Sequence, residues 1–251
     1  VPFLRNREFL WQEGHTVFAK KAEAEAEVLD ILSLYKQVFE ELLAVPVIMG
    51  KKSENEKFAG ADYSTSVETL TPSGKAVQAA TSHHLGQRFA KSFGISFLDE
   101  NGQKAIPYQN SWGFSTRSIG AMILFHGDDK GLVIPPRVAP LQVVIVPIVF
   151  EDSKAAVIKA THEVGKNLEK AGVSVLVDDR DNYTAGWKFS EHEMKGVCLR
   201  IEIGPKDLEK KQAVVVRRDT GKKEFVQLDS LNEHVKIALD TMQSDLLTKA
   251  K

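Results

Sequence analysis

The chain has 251 residues, 43% of them hydrophobic and 27% charged, which is enough to bury one or two ordinary cores. Thirty-three basic residues against 34 acidic ones leave a formal charge of -1, so a polyanionic partner must be met by a local patch and not by a global field. A single cysteine, Cys198, excludes an internal disulfide framework and, with no HExxH spacing, argues against a structural zinc site; no apolar run is long enough to cross a membrane.

The first element is VPFLRNREFLWQEGHTVF. Read as extended from residue 3 to 18, its odd positions put Arg5, Arg7, Phe9, Trp11, Glu13 and His15 on one side. Two cations, an acid, an imidazole and two rings on one side fit a cavity or ligand better than bulk water. The alternative is an amphipathic hairpin whose charges pair across strands. Apolar residues at Val28, Ile31, Leu32, Tyr35, Val38, Phe39, Leu42 and Leu43 then predict a helix over 23–45, stopped by Pro46, with a charged loop over 51–57. YSTSVETLT and KAVQAATSHH form a hairpin through Pro72-Ser73-Gly74, and a second hairpin turns at Asn101-Gly102.

In AVQAATSHHLGQ, Gln78, Thr81 and His83 sit in or beyond a strand, beside alanines small enough to admit a ligand. His83 and His84, being adjacent, point to opposite faces and cannot share a metal while the strand continues; His84 reads as a structural histidine. QNSWGFSTR extends toward a short buried helix beginning between Ser115 and Ser118, with Arg117 at its start, where N–H groups and a guanidinium would welcome an anion or the face of an adenine. Arg117 could equally pair with a carboxylate.

PPRVAP, residues 135–140, marks the expected boundary between domains 1–139 and 140–251. Beyond it come a buried strand, LQVVIVPIVF, a capped helix ending at Gly172, and the strand VSVLVDD, for which parallel pairing is the default. CLRIEIG, AVVVRRD and KEFVQLD add strands to a mixed sheet, and a helix from Leu231 to about Leu247 closes the domain. From Lys206 to Lys223, seven Lys or Arg stand against three acids, a local patch that could meet phosphates or simply face solvent.

FLRNREFLWQEGHTVF, TSHHLGQ and QNSWGFSTRSIGAMILFHGDDKGLVIPPRVAP, in that order, resemble the catalytic core of the class II prolyl-tRNA synthetases of archaeal and eukaryotic cytosolic type. DDRDNYTAGWKFSEHEMKG and LRIEIGPKDLE resemble that family's anticodon-binding domain. The resemblance implies an α+β fold, part of an antiparallel class II sheet with helices, followed by a mixed-sheet α/β domain. It implies a cytoplasmic proline–tRNA ligase that forms prolyl-adenylate from proline and ATP with Mg²⁺ and passes proline to tRNA(Pro). A homodimer is expected, with no membrane or DNA partner, no protein general base and no zinc in this segment.

By the same resemblance, Arg5 and Arg117 are catalytic. Arg5, Phe9, Gln78, Thr81, Ser115 and Arg117 bind ATP, with Gln78 also touching Mg²⁺ through the nucleotide. Trp11, Glu13, Phe58, His83, Ser111 and Gly113 form the proline pocket. Glu193, Arg200, Lys206 and Asp207 read anticodon bases. Asn6, Ala79-Ala80 and Cys198 depart from the family's usual threonine, glycines and proline without removing an essential charge. The family's motif 1, its threonine-x-glutamate loop, its first motif 2 arginine and its C-terminal zinc extension have no counterpart here, and there is no initiator Met. We therefore expect a segment of a longer protein that is inactive alone. The alternatives are a non-catalytic synthetase-like protein binding tRNA or another partner, against which Arg5, Gln78, His83 and Arg117 all argue, and a ligase for another amino acid.

Overall fold

The computed structural model describes residues 3–251. The chain forms two compact units that divide between Phe125 and His126. Residues 126–139, grouped by sequence with the first domain, pack instead within the second unit. There the Asp128 carboxylate accepts from both terminal nitrogens of Arg218, at 2.8 and 2.6 Å, and Leu132 N–H donates to Met194 O at 3.0 Å.

The first unit is built on five antiparallel strands in the order β1-β7-β4-β3-β2. These are β1 (Trp11–Phe18), β2 (Ile48–Lys51), β3 (Tyr63–Leu70), β4 (Ala76–Gly86) and β7 (Tyr108–Ser115). A separate small hairpin pairs β5 (Phe97–Leu98) with β6 (Lys104–Ala105) around the Asn101-Gly102 turn. The β3–β4 hairpin turns at Gly74, whose φ of 78° suits a residue without Cβ.

Helix α1 (Lys21–Gln37) covers one face of the sheet through Ala24, Val28, Leu32 and Tyr35, the helical stripe that the sequence spacing predicts. Polar ties fix it in place. Tyr35 Oη donates to Gln12 Oε1 at 2.9 Å, and Asn110 Nδ2 donates to Ala24 O at 2.7 Å and to Glu27 Oε2 at 2.9 Å. On this face Trp112 lies over Gly14, where a Cβ would come within 2.3 Å of the indole, so the ring needs a glycine beneath it. His84 is fully buried here, with Nδ1 3.0 Å from Asn110 Oδ1, the structural histidine that the sequence suggested.

Three local expectations fail. Residues 3–8 are mostly turn and bend and 9–10 irregular; the strand starts only at Trp11, so the odd-even rule does not govern Arg5 and Arg7. The predicted helix over 23–45 is α-helical only to Gln37. A wider π turn over Val38–Leu42 and a left-handed Ala44, at φ 54°, bring the chain to Pro46, before which α geometry is disfavoured. Lys51, read as loop, ends β2, and the short helix α2 (Arg88–Phe93) lies where no helix was expected.

Helix α3 (Arg117–His126) begins where predicted, directly after β7. In the second unit β8 (Val143–Pro147), β9 (Val175–Val177), β10 (Leu199–Ile203), β11 (Gln212–Arg217) and β12 (Lys223–Gln227) form a mixed sheet in the order β12-β11-β10-β8-β9. β8 is parallel to both β9 and β10, while β11 and β12 run antiparallel. All five residues of β8 are buried, as its unbroken apolar run requires. Helix α4 (Lys154–Lys170) is the connection between the parallel strands β8 and β9, and α7 (Leu231–Ala250) buries Val235, Leu239, Met242 and Leu246. Two helices of this unit, α5 (Ala185–Met194) and α6 (Pro205–Glu209), were not foreseen.

Candidate active site

The face of the first sheet opposite α1 opens into a cavity, with Phe89 and Phe93 of α2 on its wall. The register there sets Glu13 against Gly113 and Gly113 against Thr81, and His15 against Ser111 and Ser111 against His83, so three neighbouring strands present matched rows. These rows floor a cavity of about 480 Å³. Gly113 keeps the floor low: a Cβ there would lie 2.7 Å from Gln12 O.

Trp11, Glu13, Phe58, His83, Ser111 and Gly113, assigned from sequence to an amino-acid pocket, all line this cavity. So do Phe9, Gln78, Thr81, Ser115 and Arg117, assigned to a nucleotide. Arg5 does not: it is exposed and absent from the cavity wall. It lies in the turn before β1, where alternation no longer points side chains to the sheet face. Its neighbour does reach the site, since Arg117 Nε donates to Leu4 O at 3.1 Å.

Phe9 stands 50% exposed, turned out of the core, and meets Trp11 edge to face at 6.3 Å. Phe58 lies 5.2 Å from the His83 ring, giving that end an apolar wall. His83 Nδ1 is 2.7 Å from Ser64 Oγ. Burial, and secondarily the charge of Lys52, lower the His83 pKa from 6.5 to about 4. The ring is therefore neutral at physiological pH. Because its folded value lies below its unfolded one, the folded state binds fewer protons between about pH 6.5 and 4, so stability falls as pH drops through that window and levels off below it. We expect the His83 ring signals in an NMR titration to move with a midpoint near 4; a midpoint near 6.5 would mean that water solvates the ring.

Arg117 opens α3. Besides Leu4 O, its guanidinium reaches Gln78 O at 3.4 Å through Nη1, and its backbone N–H donates to Ser115 Oγ at 3.3 Å. Among the described residues it has no carboxylate partner, so the carboxylate-pair reading does not apply. Gln78 Oε1 accepts from Lys52 Nζ. That oxygen is the amide atom a Mg²⁺ ion would need, so direct ligation of Mg²⁺ by Gln78 does not fit.

Sequence reasoning passed over Lys52, Leu85, Phe89 and Phe93. The last three line the cavity, and Lys52 Nζ donates to Gln78 Oε1. Phe89 packs where Gly60, at φ 89°, has no side chain: a Cβ there would lie 2.8 Å from the ring, a fit visible only in the fold. Nothing local in KKSENEK distinguishes Lys52 from its neighbours.

In the second unit a cavity of about 330 Å³ is lined by Glu193, Arg200, Lys130, Arg217, Arg218 and Lys223, among others. Arg200 lies 4.1 Å over the Phe189 ring while its Nη2 pairs with Glu202 at 2.9 Å, and Glu193 pairs with Lys130 at 3.0 Å. Lys206 and Asp207 are not on this wall. Lys206 is exposed, and Asp207 accepts from Gly204 N–H at 2.9 Å, capping α6. Of the seven cations in 206–223, Arg217, Arg218, Lys222 and Lys223 are paired with carboxylates, so the patch is less free than its composition suggests. No helix among the described residues is long and apolar enough to cross a membrane.

The family described as "tRNA synthetase class II core domain (G, H, P, S and T)" matches residues 1–125, and "Anticodon binding domain" matches residues 142–237. The chain is 56% identical over 253 aligned residues to a cytoplasmic proline–tRNA ligase of Arabidopsis thaliana, with all of this chain and 48% of that protein covered. It is 51% identical to a bifunctional glutamate/proline–tRNA ligase of Drosophila melanogaster, of which it covers 15%. The crystal structure of prolyl-tRNA synthetase from Cryptosporidium parvum, complexed with L-proline and AMP, superposes with a TM-score of 0.94 at 51% identity; all of this chain and 54% of that one are covered. The chain thus spans about half the length of several curated relatives it matches. With a class II core segment followed by an anticodon-binding domain, each matched in its own unit, the chain belongs to the prolyl-tRNA synthetase family.

Proposed function

We propose that this chain carries the later catalytic motifs and the anticodon domain of a proline–tRNA ligase. The reaction would be attack of the proline carboxylate on the α-phosphorus of ATP, giving prolyl-adenylate and pyrophosphate, then transfer of the prolyl group to tRNA(Pro). One observation carries the reading. The residues expected for the amino acid and those expected for the nucleotide, Arg5 excepted, share a single cavity wall. Support comes from the similar Cryptosporidium parvum structure, which contains proline and AMP.

In this reading the two ends of the cavity do different work. Trp11, Phe58 and neutral His83 enclose the compact apolar pyrrolidine, with Glu13 as an anion near the ammonium and Ser111 and Gly113 forming the floor. Phe9 and Arg117 hold the adenine between a ring and a guanidinium, while Ser115 and Thr81 offer hydroxyls and Gln78 an amide. Arg117 also supplies positive charge where negative charge develops on the phosphates during transfer. Proline's carboxylate is already the nucleophile, so positioning and charge neutralisation suffice without a protein base. The phosphate role of Arg5 rests on family resemblance; its loop abuts Arg117 through Leu4.

Glu193 and Arg200 offer an acceptor and a planar fork to splayed base edges, as single-stranded RNA recognition requires. Lys206 and Asp207 complete that set by resemblance only. A cytoplasmic setting and a homodimer follow from the same reading, and any Mg²⁺ would enter on the triphosphate. ATP–pyrophosphate exchange by the protein carrying this chain should depend on proline. Exchange driven by threonine or glycine and not by proline would refute the assignment.

A further inference from the structure

Lys52 follows the last residue of β2, and its backbone N–H donates to Ser64 O at 2.9 Å, which anchors it beside β3. Its side chain is only 15% exposed. Nζ donates to Gln78 Oε1 and lies 3.8 Å from Glu68 Oε1, which in turn accepts from Ser66 Oγ at 3.0 Å. An ammonium has donors and no acceptor, so the amide atom facing it must be the oxygen, and flipping Gln78 would set N–H against N–H. The Gln78 NH₂ is then the end of the amide left for the cavity that Gln78 lines.

We propose that Lys52 is a positioning residue: by holding Gln78 Oε1 it presents the Gln78 NH₂ to the cavity as a hydrogen-bond donor for an anionic phosphate oxygen of the nucleotide. The proposal rests on the adenylation reading of the cavity. It makes Gln78 a donor and not a metal ligand, because a divalent cation would have to displace the ammonium from the same oxygen. It also places a buried charge close enough to act on the His83 ring.

Three variants test it, in equilibrium binding of ATP without amino acid and in proline-dependent exchange. Lys52→Met should weaken ATP binding and raise KM for ATP about tenfold, the loss expected of one charge-supported hydrogen bond, while KM for proline stays within about twofold. The His83 titration midpoint should move up from about 4 in the same variant. Lys52→Arg, which still donates to the oxygen, should recover most of the ATP affinity. Gln78→Glu keeps a partner for Lys52 but offers the cavity an anionic oxygen, so ATP binding should fall at least as far and not return with added Mg²⁺.

Undiminished ATP affinity in folded Lys52→Met would overturn the proposal, as would a Gln78→Glu protein that retains ATP through Mg²⁺. If Lys52→Met does not fold, Lys52→Arg and Gln78→Glu decide between donor and ligand. Absence of proline-dependent exchange in the unaltered protein that carries this chain would instead sink the functional reading. The His83 shift is independent of either activity.

Discussion

On the adenylation reading proposed above, Arg117→Ala in the protein carrying this chain should lower proline-dependent ATP–pyrophosphate exchange by about 10²–10³-fold, the usual cost of removing a preorganised donor from a site where negative charge develops. Three features concentrate the effect. The guanidinium lines the cavity, it is oriented by Leu4 O and Gln78 O, and among the described residues no carboxylate neutralises it. Arg117→Lys separates charge from shape. A lysine keeps the positive charge but loses the planar fork that stacks on a ring and bonds two carbonyls, so most of the loss should remain. Arg200→Ala should do the opposite, leaving exchange nearly intact and weakening the charging of tRNA. Arg200 belongs to the other unit, on a wall with Glu193, stacked on Phe189. Parallel exchange and aminoacylation assays of both variants check this, and equal losses in both assays for either residue would contradict the division of labour.

The site was legible where local geometry is regular. From Trp11 onward the two-residue period places Trp11, Glu13 and His15 on the cavity side, and the same period separates His83 from His84. The period has no meaning before Trp11, so it does not place Arg5, whose phosphate role rests on the resemblance. The stripe Ala24, Val28, Leu32, Tyr35 announced α1, but the apolar spacing runs on through Val38, Phe39 and Leu42 and so does not show the change to a π turn there. Helix α5 was hidden because its buried side contains Lys188 and His192, polar residues that pattern reading assigns to solvent. Asp207 illustrates the converse. Resemblance gave it an RNA role, while the fold shows the carboxylate occupied at the start of α6. Lys52 could not be read at all, since its significance lies in a partner 26 residues away.

The polar inside of α5 yields the largest stability prediction: Asp178→Ala destabilises the second unit by about 3 kcal/mol, the lower part of the range for stranding buried partners of an ion pair. Asp178 is 3% exposed. Its two oxygens accept from Arg180 at 2.7 Å each, His192 Nε2 lies 2.8 Å away, and Lys188 donates to its backbone carbonyl at 3.0 Å. The lower part of the range applies because Arg180 is partly solvated and also bonds Glu191, whereas Lys188 and His192 are buried and cannot turn to water. The set Asp178, Glu191, His192 has the donor types of a metal site, but Arg180 already bridges the two carboxylates and supplies the positive charge a metal would bring. Hydrogen bonds from Arg180 first, opposed by burial and aided by His192, hold the Asp178 carboxyl well below its ordinary value. A depressed folded pKa gives stability that is present above the unfolded carboxylate value of 3.8 and is lost only as pH falls through the lower folded value. Calorimetric unfolding should therefore show an undiminished gap between the unaltered protein and Asp178→Ala from pH 8 down to about 5, closing only in strong acid. Asp178→Asn, which keeps an acceptor but not the charge, should fall between them. A gap below about 1 kcal/mol would show that Lys188 and His192 find other partners, and that this carboxylate does not organise the helix.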